Sequence, residues 1–217
     1  MRTIVSVISL FLPWPLRRLV LNSILGFDIA PSARIGFSLL ICERAVLRPR
    51  STIRHLNLIR VGLLYLEEGS TIGNLNTIQG ASQAGAYFKH QPDRRAELVL
   101  GAQSAITSRH YIDCTNRILI GKFTIIGGVR TTLLTHSIDF RLNRQDSAPV
   151  TIGDYCFVGT DCTILKGSQL PSHSLLGAKA LLNRAFNEPG LYGGVPAVRR
   201  SSLEDLAYMS RQTGHVY

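Results

Sequence analysis

Two histidines are the residues best suited to proton transfer near neutral pH. His136 lies in the segment Thr135-His136-Ser137-Ile138-Asp139, and His110 lies in Ser108-Arg109-His110-Tyr111-Ile112-Asp113. Imidazole titrates near neutrality, so either ring could accept a proton from a hydroxyl group. A lone histidine in a loop is more often a solvated side chain, so the elements around each ring must decide its role.

A six-residue repeat governs most of the chain. A helix would need a period near 3.6 and a half-buried strand a period of 2, so neither explains the pattern. The repeat restarts after short slips and comprises Ile29, Ile35, Ile41, Leu47, Ile53, Ile59, Leu66, Ile72, Ile78, Leu100, Ile106, Ile112, Ile118, Ile120, Ile126, Ile152, Val158, Ile164, Leu170, Leu176 and Leu182.

The neighbours of these aliphatic residues also repeat. A glycine or alanine often follows the aliphatic residue, and a small residue such as Cys156 lies four positions after it. This pattern predicts short flat strands joined by turns, with each aliphatic side chain pointing into a narrow shaft. With three hexapeptides per coil and coils ~4.8 Å apart, the predicted stacked pairs are Ile152 on Leu170, Val158 on Leu176 and Ile164 on Leu182.

This repeat resembles that of the hexapeptide-repeat acyltransferases, from about Ile29 to Arg200. The resemblance implies an all-β solenoid, a left-handed parallel β-helix, whose handedness comes from the family and not from the period. We expect a short N-terminal apolar and basic helix over residues 1–28, the solenoid over 29–200 with loops near 80–97 and 134–149, and a C-terminal helical tail over 201–217.

The second loop carries the strongest motif. Its Thr-His-x-x-Asp stretch resembles that of galactoside, maltose and nodulation-type O-acetyltransferases, and is closest to bacterial exopolysaccharide acetyltransferases of the colanic-acid type. The resemblance implies that His136 is the general base that takes a proton from a sugar hydroxyl. Asp139 either orients the imidazole or only shapes the turn. An acceptor contact is implied near Asp113, where Ser108 replaces the family's asparagine and His110 is a candidate substitute.

The resemblance also implies an acetyl-CoA site. Phe157-Val158-Gly159-Thr160 stands where the family has Trp-Ile-Gly-Ser or Ala, so the Thr160 N–H is expected to hold the acetyl carbonyl and its developing negative charge. The ending Gly193-Gly194-Val195-Pro196-Ala197 is close to the family's Gly-x-Pro-Ala element beside the adenine, where arginines can meet phosphates. The implied contacts with acetyl-CoA are Phe157, Gly159, Thr160, Gly177, Ala178, Arg184, Ala197, Arg199 and Arg200.

Composition limits the partners. The net charge of +10 favours anionic partners, but no run of Lys and Arg with interleaved aromatics indicates nucleic acid. The four cysteines have no CxxC spacing, so we expect reduced thiols in a cytoplasmic protein and no metal cofactor. The family implies a homotrimer with the active site between neighbouring chains.

The apolar and basic N-terminus, residues 1–26, is open to two interpretations. The run Ile4 to Leu12 is shorter than the ~20 residues that cross a bilayer, and no small-residue cleavage signal follows it. It could be a peripheral anchor at the inner membrane face, which would suit a lipid-linked saccharide acceptor, or a helix that caps the open end of the solenoid.

Two other functions compete with acetyl transfer. A zinc enzyme of the γ-carbonic anhydrase kind is built on the same solenoid, but needs three convergent histidines, and no evident third one joins His110 and His136. A non-catalytic β-helix scaffold would have no affinity for CoA. The combination of the His136 loop and the Gly-Gly-Val-Pro-Ala ending argues against the scaffold, by resemblance alone.

Overall fold

The repeat folds into stacked coils, each of which contributes one short strand to each of three parallel sheets. The structure is a computed structural model, which describes residues 1–82, 86–204, 206–214 and 216. Sheet A contains β1 (Asp28–Ile29), β4 (Arg44–Leu47), β7 (Leu63–Leu66), β10 (Glu97–Leu100), β13 (Ile118–Ile120), β18 (Val150–Ile152) and β21 (Gln169–Leu170).

The other two sheets run beside the first. Sheet B contains β2 (Arg34–Ile35), β5 (Thr52–Ile53), β8 (Thr71–Ile72), β11 (Ala105–Ile106), β14 (Ile125–Ile126), β19 (Phe157–Val158), β22 (Leu175–Leu176), β24 (Leu191–Gly193) and β25 (Val198–Ser201). Its last strand, β25, is antiparallel to β24. Sheet C contains β3 (Leu39–Leu40), β6 (Leu58–Arg60), β9 (Thr77–Gln79), β12 (Tyr111–Asp113), β15 (Thr132–Leu134), β20 (Thr163–Ile164) and β23 (Leu181–Leu182). A separate antiparallel hairpin joins β16 (His136–Asp139) to β17 (Arg144–Ser147).

The shaft between the sheets is filled as the repeat predicts. The three stacked pairs, Ile152 on Leu170, Val158 on Leu176 and Ile164 on Leu182, are confirmed as register partners. The repeat pattern missed several core positions, two of them in sheet C. Leu40, and not Ile41, faces the shaft opposite Ile59, and Leu133 continues the shaft in sheet C after a seven-residue step from Ile126.

Two helices close the N-terminal end, where one was predicted. The first, α1 (Arg2–Ser9), precedes α2 (Trp14–Leu25), and Pro13 and Pro15 mark the break because proline suits the first turn of a helix. Gly26 ends α2 at a φ of 69°, a left-handed conformation that glycine adopts without strain. Among the described residues, no helix has the length and apolar content needed to cross a bilayer.

The C-terminal tail folds back across sheet B. In its described part the tail contains one 3-10 turn, Ala207–Ser210, in place of the expected helix, and positions 205, 215 and 217 of the predicted tail lie outside the described residues. The Tyr208 hydroxyl donates to the Cys156 carbonyl (2.8 Å), and the Gly214 N–H donates to Gln103 Oε1 (3.0 Å). Arg211 bonds the Phe123 carbonyl between them, so the tail crosses three successive coils.

Candidate active site

Both interruptions of the repeat fall at the same corner of the solenoid. The C–A corner is the set of turns that lead from sheet C to sheet A, and it holds loop 80–97 and loop 134–149, with the turn 113–117 between them. Positions 83–85 of the first loop lie outside the described residues. Because successive coils stack at the interstrand spacing, the two loops and the turn between them are neighbours in space.

His136 is held by a buried carboxylate at this corner. Its Nδ1 lies 2.6 Å from Oδ2 of Asp113, whose side chain is 4% exposed while that of His136 is 41% exposed. An ionised carboxylate can only accept hydrogen bonds, so Nδ1 carries the hydrogen and the lone pair lies on Nε2. The arrangement therefore provides a base oriented by a carboxylate.

Asp113 is itself fixed by two threonines. Its Oδ1 accepts from the Thr115 N–H (3.1 Å) and hydroxyl (2.6 Å), and its Oδ2 accepts from the Thr135 N–H (2.9 Å). The Thr135 hydroxyl also donates to the Asp113 carbonyl (2.8 Å). These bonds hold the carboxylate in one orientation. Because Thr135 lies on the coil next to Asp113, its bonds also position the imidazole of the following residue, His136.

The structure separates the two roles considered for Asp139. Its Oδ1 accepts from the backbone N–H groups of Arg141 (2.9 Å) and Leu142 (3.2 Å), which shapes the turn of the β16–β17 hairpin. The carboxylate that bonds His136 belongs to Asp113, which the sequence assigned to the acceptor site. Of the two roles left open for Asp139, the contacts in the structure are those of the turn, and the carboxylate that orients the imidazole is that of Asp113.

Loop 80–97 supports the His136 hairpin. The Phe88 ring meets the His136 ring edge to face, with centroids 6.2 Å apart. Gln91 accepts from the Ser147 hydroxyl (2.7 Å) and donates to the Ser147 carbonyl (3.0 Å), which joins the loop to β17. Arg94 is buried beneath Phe88, and its guanidinium donates to backbone carbonyls, including that of Ala81 (3.0 Å).

The sequence identified loop 80–97 as an interruption of the repeat but did not predict these contacts. Burial lowers the pKa of Arg94, which is consistent with its role of satisfying backbone carbonyls inside the loop. A cleft of about 610 Å³ lies beside the corner and is lined by His90, Gln91, Pro92, Asp93, Arg94, Arg95, Asn116, Arg117 and Pro149. The cleft adjoins the His136 hairpin through Gln91 and Asn116, which both bond Ser147 of β17.

The two residues proposed beside Asp113 for the acceptor lie elsewhere. His110 is buried, its Nδ1 accepts from the Thr131 N–H (3.1 Å) and its Nε2 lies 2.8 Å from the Thr107 hydroxyl. Burial lowers the pKa of His110 to about 4, so the ring is neutral and structural. The Ser108 hydroxyl accepts from the Asn74 N–H (2.9 Å) at the turn between sheets B and C. The predicted acceptor role of His110 is corrected because both ring nitrogens are occupied inside the protein.

The predicted cofactor residues gather at a different corner. The B–C corner is the set of turns from sheet B to sheet C, and it holds Gly159-Thr160 above Gly177-Ala178, with Phe157 in the preceding strand. A Cβ placed on Gly159 would lie 2.6 Å from the Ala178 nitrogen, so only glycine allows the two turns to approach. Among the bonds of the described residues, none uses the Thr160 N–H as donor, while the Thr160 hydroxyl donates to the Val129 carbonyl (2.9 Å).

The remaining predicted cofactor residues divide between the two corners. The Ala197 N–H donates to the Leu181 carbonyl (2.7 Å), so the Gly-Gly-Val-Pro-Ala ending closes the last B–C turn. Arg199 and Arg200 are exposed on β25 beside it, and donate to the Pro189 and Gly193 carbonyls. Arg184 follows β23 at the C–A corner, on the His136 side.

The two corners are too far apart to meet within one chain. Thr163 pairs with Thr132 in sheet C. Thr160 lies at the turn before this sheet, and His136 lies in the loop after it, so the width of sheet C separates them. A side of one coil spans about six residues, which places adjacent corners on the order of 15 Å apart. Groups that react must approach to roughly 3–3.5 Å. One chain alone therefore does not bring His136 to the Thr160 N–H.

Known proteins share this architecture. The polysialic acid O-acetyltransferase OatWY superposes with a TM-score of 0.60 at 15% identity, covering 84% of this chain and 90% of that one. A hexapeptide-repeat-containing acetyltransferase from Vibrio cholerae gives 0.50 at 15% identity, covering 94% and 89%. A hexapeptide transferase family protein from Anaplasma phagocytophilum gives 0.50 at 18% identity, covering 85% of each chain. No family model and no curated protein matches the chain. The chain thus has the fold of hexapeptide-repeat acetyltransferases.

Proposed function

We propose that this protein transfers an acetyl group from acetyl-CoA to a hydroxyl of a saccharide, with His136 as the general base. The observation that carries the proposal is the 2.6 Å contact between His136 Nδ1 and the buried Asp113 carboxylate, on a loop that interrupts the repeat. The acetyltransferases that share the fold support the acyl group, and the polysialic acid acetyltransferase among them supports a saccharide acceptor. A surface glycan or exopolysaccharide is the acceptor class we favour. We also propose that the β-helix of this protein is left-handed, as the resemblance implies.

The reaction runs through a ternary complex. His136 Nε2 takes the hydroxyl proton as the oxygen attacks the thioester carbonyl, and the Thr160 N–H stabilises the resulting oxyanion. Collapse of the tetrahedral intermediate breaks the carbon–sulfur bond and releases CoA thiolate, which takes up the proton. Burial raises the pKa of the Cys156 thiol to about 12 and that of Cys42 to about 12, so neither is an activated nucleophile for an acyl-enzyme.

The separation of the two corners calls for a second chain. We propose a homotrimer in which the C–A corner of one chain faces the B–C corner of its neighbour, so that His136 and Thr160 of different copies meet. Phe157, Gly177, Ala178 and Ala197 would then hold acetyl-CoA beside the partner's His136 loop. In such a ring every site is the same interface repeated, which closed symmetry allows.

The zinc alternative loses support from His110. Both of its ring nitrogens bond groups inside the protein, and a ligand must offer a free nitrogen lone pair to the metal. In the described part of the chain, His136 belongs to no group of three or more His, Cys, Asp or Glu side chains that could hold a metal ion, whereas a proton-transfer role needs only His136 and Asp113. The geometry therefore favours acyl transfer over metal-assisted hydration.

The decisive experiment is release of CoA from acetyl-CoA with a panel of saccharide acceptors. We expect His136→Ala to lower kcat by ~10²–10⁴-fold, the usual contribution of a general base. His173→Ala is the matched control, because His173 is exposed on a turn from sheet A to sheet B and stacks on Tyr155. Full turnover by His136→Ala, or an equal loss in His173→Ala, would exclude His136 as the base.

Mixing two inactive variants tests the shared site. His136→Ala removes the base, and Ala178→Trp fills the B–C corner at an exposed position. If each site uses His136 of one chain and Ala178 of the next, mixed trimers regain about a quarter of the sites by chance. No recovery after subunit exchange would show that each site belongs to a single chain.

A further inference from the structure

The N-terminal helices are attached to the solenoid by arginines rather than by an apolar seam alone. Arg17 is buried and donates to the carbonyls of Gly36 (2.7 Å) and Ser38 (2.6 Å) in the first coil. Arg18 Nε donates to the Ile29 carbonyl (2.8 Å), and Arg2 Nη1 donates to the Leu25 carbonyl (3.1 Å). The bonds of Arg17 and Arg18 satisfy edge carbonyls of the first coil, so the helices cap the open end, and Arg2 ties α1 to the end of α2.

The first helix turns its apolar side away from the protein. Ser6 and Ser9 are buried at 2% and 0% exposure, whereas Ile4 and Ile8 are 63% and 60% exposed, and Phe11 just beyond the helix is 76% exposed. A helix that packed for core burial would show the reverse arrangement. The outward side of α1 therefore presents an apolar surface that the chain itself does not cover.

The second helix continues this surface. Leu21 and Leu25 join the core, while Leu16, Leu19 and Ile24 are exposed on the other side of α2. Phe37, from the first coil, lies edge to face against Phe11 at a centroid distance of 6.0 Å. We name Ile4, Ile8, Phe11, Leu16, Leu19, Ile24 and Phe37 the N-terminal apolar face. Because α1 and α2 pack against each other, this face gathers exposed apolar side chains at one end of the solenoid, which marks an interaction site.

The charge of the two N-terminal helices is of one sign. The first 27 residues contain Arg2, Arg17 and Arg18 and no Asp or Glu, and Arg34 is exposed on the adjoining coil. In the part of the chain that the structure describes, none of these four arginines forms an ion pair. An apolar face beside arginines whose charge no carboxylate neutralises matches the requirements of an anionic lipid surface.

We propose that the N-terminal apolar face lies in the interface of an anionic bilayer, with α1 and α2 parallel to the membrane plane. The apolar side chains enter the acyl boundary, and Arg2, Arg18 and Arg34 reach lipid phosphates. A second copy fits less well, because two such faces would bring arginines against arginines with no acidic residue in either helix. This inference goes beyond acetyl transfer and does not depend on it.

Co-sedimentation of the full chain with vesicles tests the proposal. We expect binding to phosphatidylcholine vesicles that contain phosphatidylglycerol, and weaker binding to phosphatidylcholine alone or at high salt. Ile4→Ser/Ile8→Ser should weaken binding by at least ~10-fold, because each side chain loses apolar burial in the lipid. The matched control is Leu58→Ser/Leu119→Ser, which removes two exposed leucines from sheets C and A.

Each outcome decides the proposal. Equal loss in both double variants, or no vesicle binding by the wild-type chain, overturns it. A change in solution mass of Ile4→Ser/Ile8→Ser without a change in vesicle binding would instead assign the face to contact between copies, and also overturns it. Circular dichroism confirms that the variants keep their β-structure. Because the readout is lipid binding, failure of acetyl transfer would leave this result unaffected.

Discussion

Replacing Asp113 by asparagine tests the core of the proposed site. Asparagine keeps the volume of the side chain but replaces one acceptor oxygen by a donor NH₂ group. If that group faces His136, Nδ1 can no longer donate to it, so the ring must rotate or exchange its hydrogen, and Nε2 ceases to be the base. If it faces Thr115 instead, two donors oppose it.

The magnitude follows from the bonds that are lost. A hydrogen bond to a charged group contributes about 1.5–3 kcal/mol, which corresponds to a ~10–150-fold decrease in kcat at ~1.36 kcal/mol per decade. The misplaced NH₂ group should also cost ~1–3 kcal/mol of unfolding free energy. For a chain of 217 residues that lowers the unfolding midpoint by ~2–12 °C, so activity must be measured well below it.

The assay is initial-rate release of CoA with saturating acceptor. We expect the KM for acetyl-CoA to stay unchanged in Asp113→Asn, because Asp113 lies at the C–A corner and all the predicted cofactor residues except Arg184 lie at or beside the B–C corner. The Asp113→Asn/His136→Ala double variant should lose no more activity than His136→Ala, since Asp113 acts through the imidazole.

Asp139→Asn is the control, because its carboxylate caps a turn of the same hairpin. We expect its kcat to stay close to that of the wild type. Additive losses in the double variant, or a kcat for Asp139→Asn as low as that of Asp113→Asn, would refute the assignment of Asp113 as the positioning residue.

Three further expectations follow from buried contacts. The pKa of His110 is lowered to about 4 in the folded protein, whereas a histidine in an unfolded chain has a pKa of about 6.5. As the pH falls below about 6.5, the unfolded chain binds a proton that the folded protein does not, so the folded state loses stability. Urea unfolding should therefore show a loss of about 2 kcal/mol between pH 7 and pH 5, which His110→Gln should not show; an equal loss in both proteins would contradict it. Gln91→Ala should lower kcat by ~10-fold through a misplaced His136 hairpin while CoA affinity by calorimetry stays the same; a matching loss of CoA affinity would count against this. Gly159→Ala should lower the unfolding free energy by ~1–3 kcal/mol and weaken CoA binding in the same titration, because its Cβ meets the Ala178 nitrogen; an unchanged affinity would show that this turn does not contact CoA.

The repeat predicted the coils because it reports only which side chains face inward. Ile152, Val158 and Ile164 stack as expected, since one six-residue period fixes both burial and register. The pattern failed at Leu133, because this residue follows Ile126 by seven positions and not six, so its place in sheet C was missed. The same strand pairing places Asp113 beside Leu134. Knowing this register would have placed Asp113 next to the residue that lies two positions before His136.

The candidate site was predictable in kind but not in its contacts. His136 and its loop could be identified because the loop interrupts the repeat, whereas the choice between Asp113 and Asp139 depends on the turn that the hairpin adopts. His110 looked equally suited to chemistry, and only its burial against Thr107 and Thr131 shows otherwise. At the N-terminus, the two interpretations of residues 1–26 do not exclude each other, because α2 packs one side on the coil and exposes leucines on the other.

The returning tail changes how this solenoid should come apart. In a stack whose layers touch only their neighbours, unfolding can start at an end and proceed layer by layer. The tail connects three coils from outside through bonds of Tyr208, Arg211 and Gly214. Those coils must therefore unfold together, or the tail must first detach from them. Fraying from the carboxyl end is thereby resisted in the layer that contains Phe157 and Gly159.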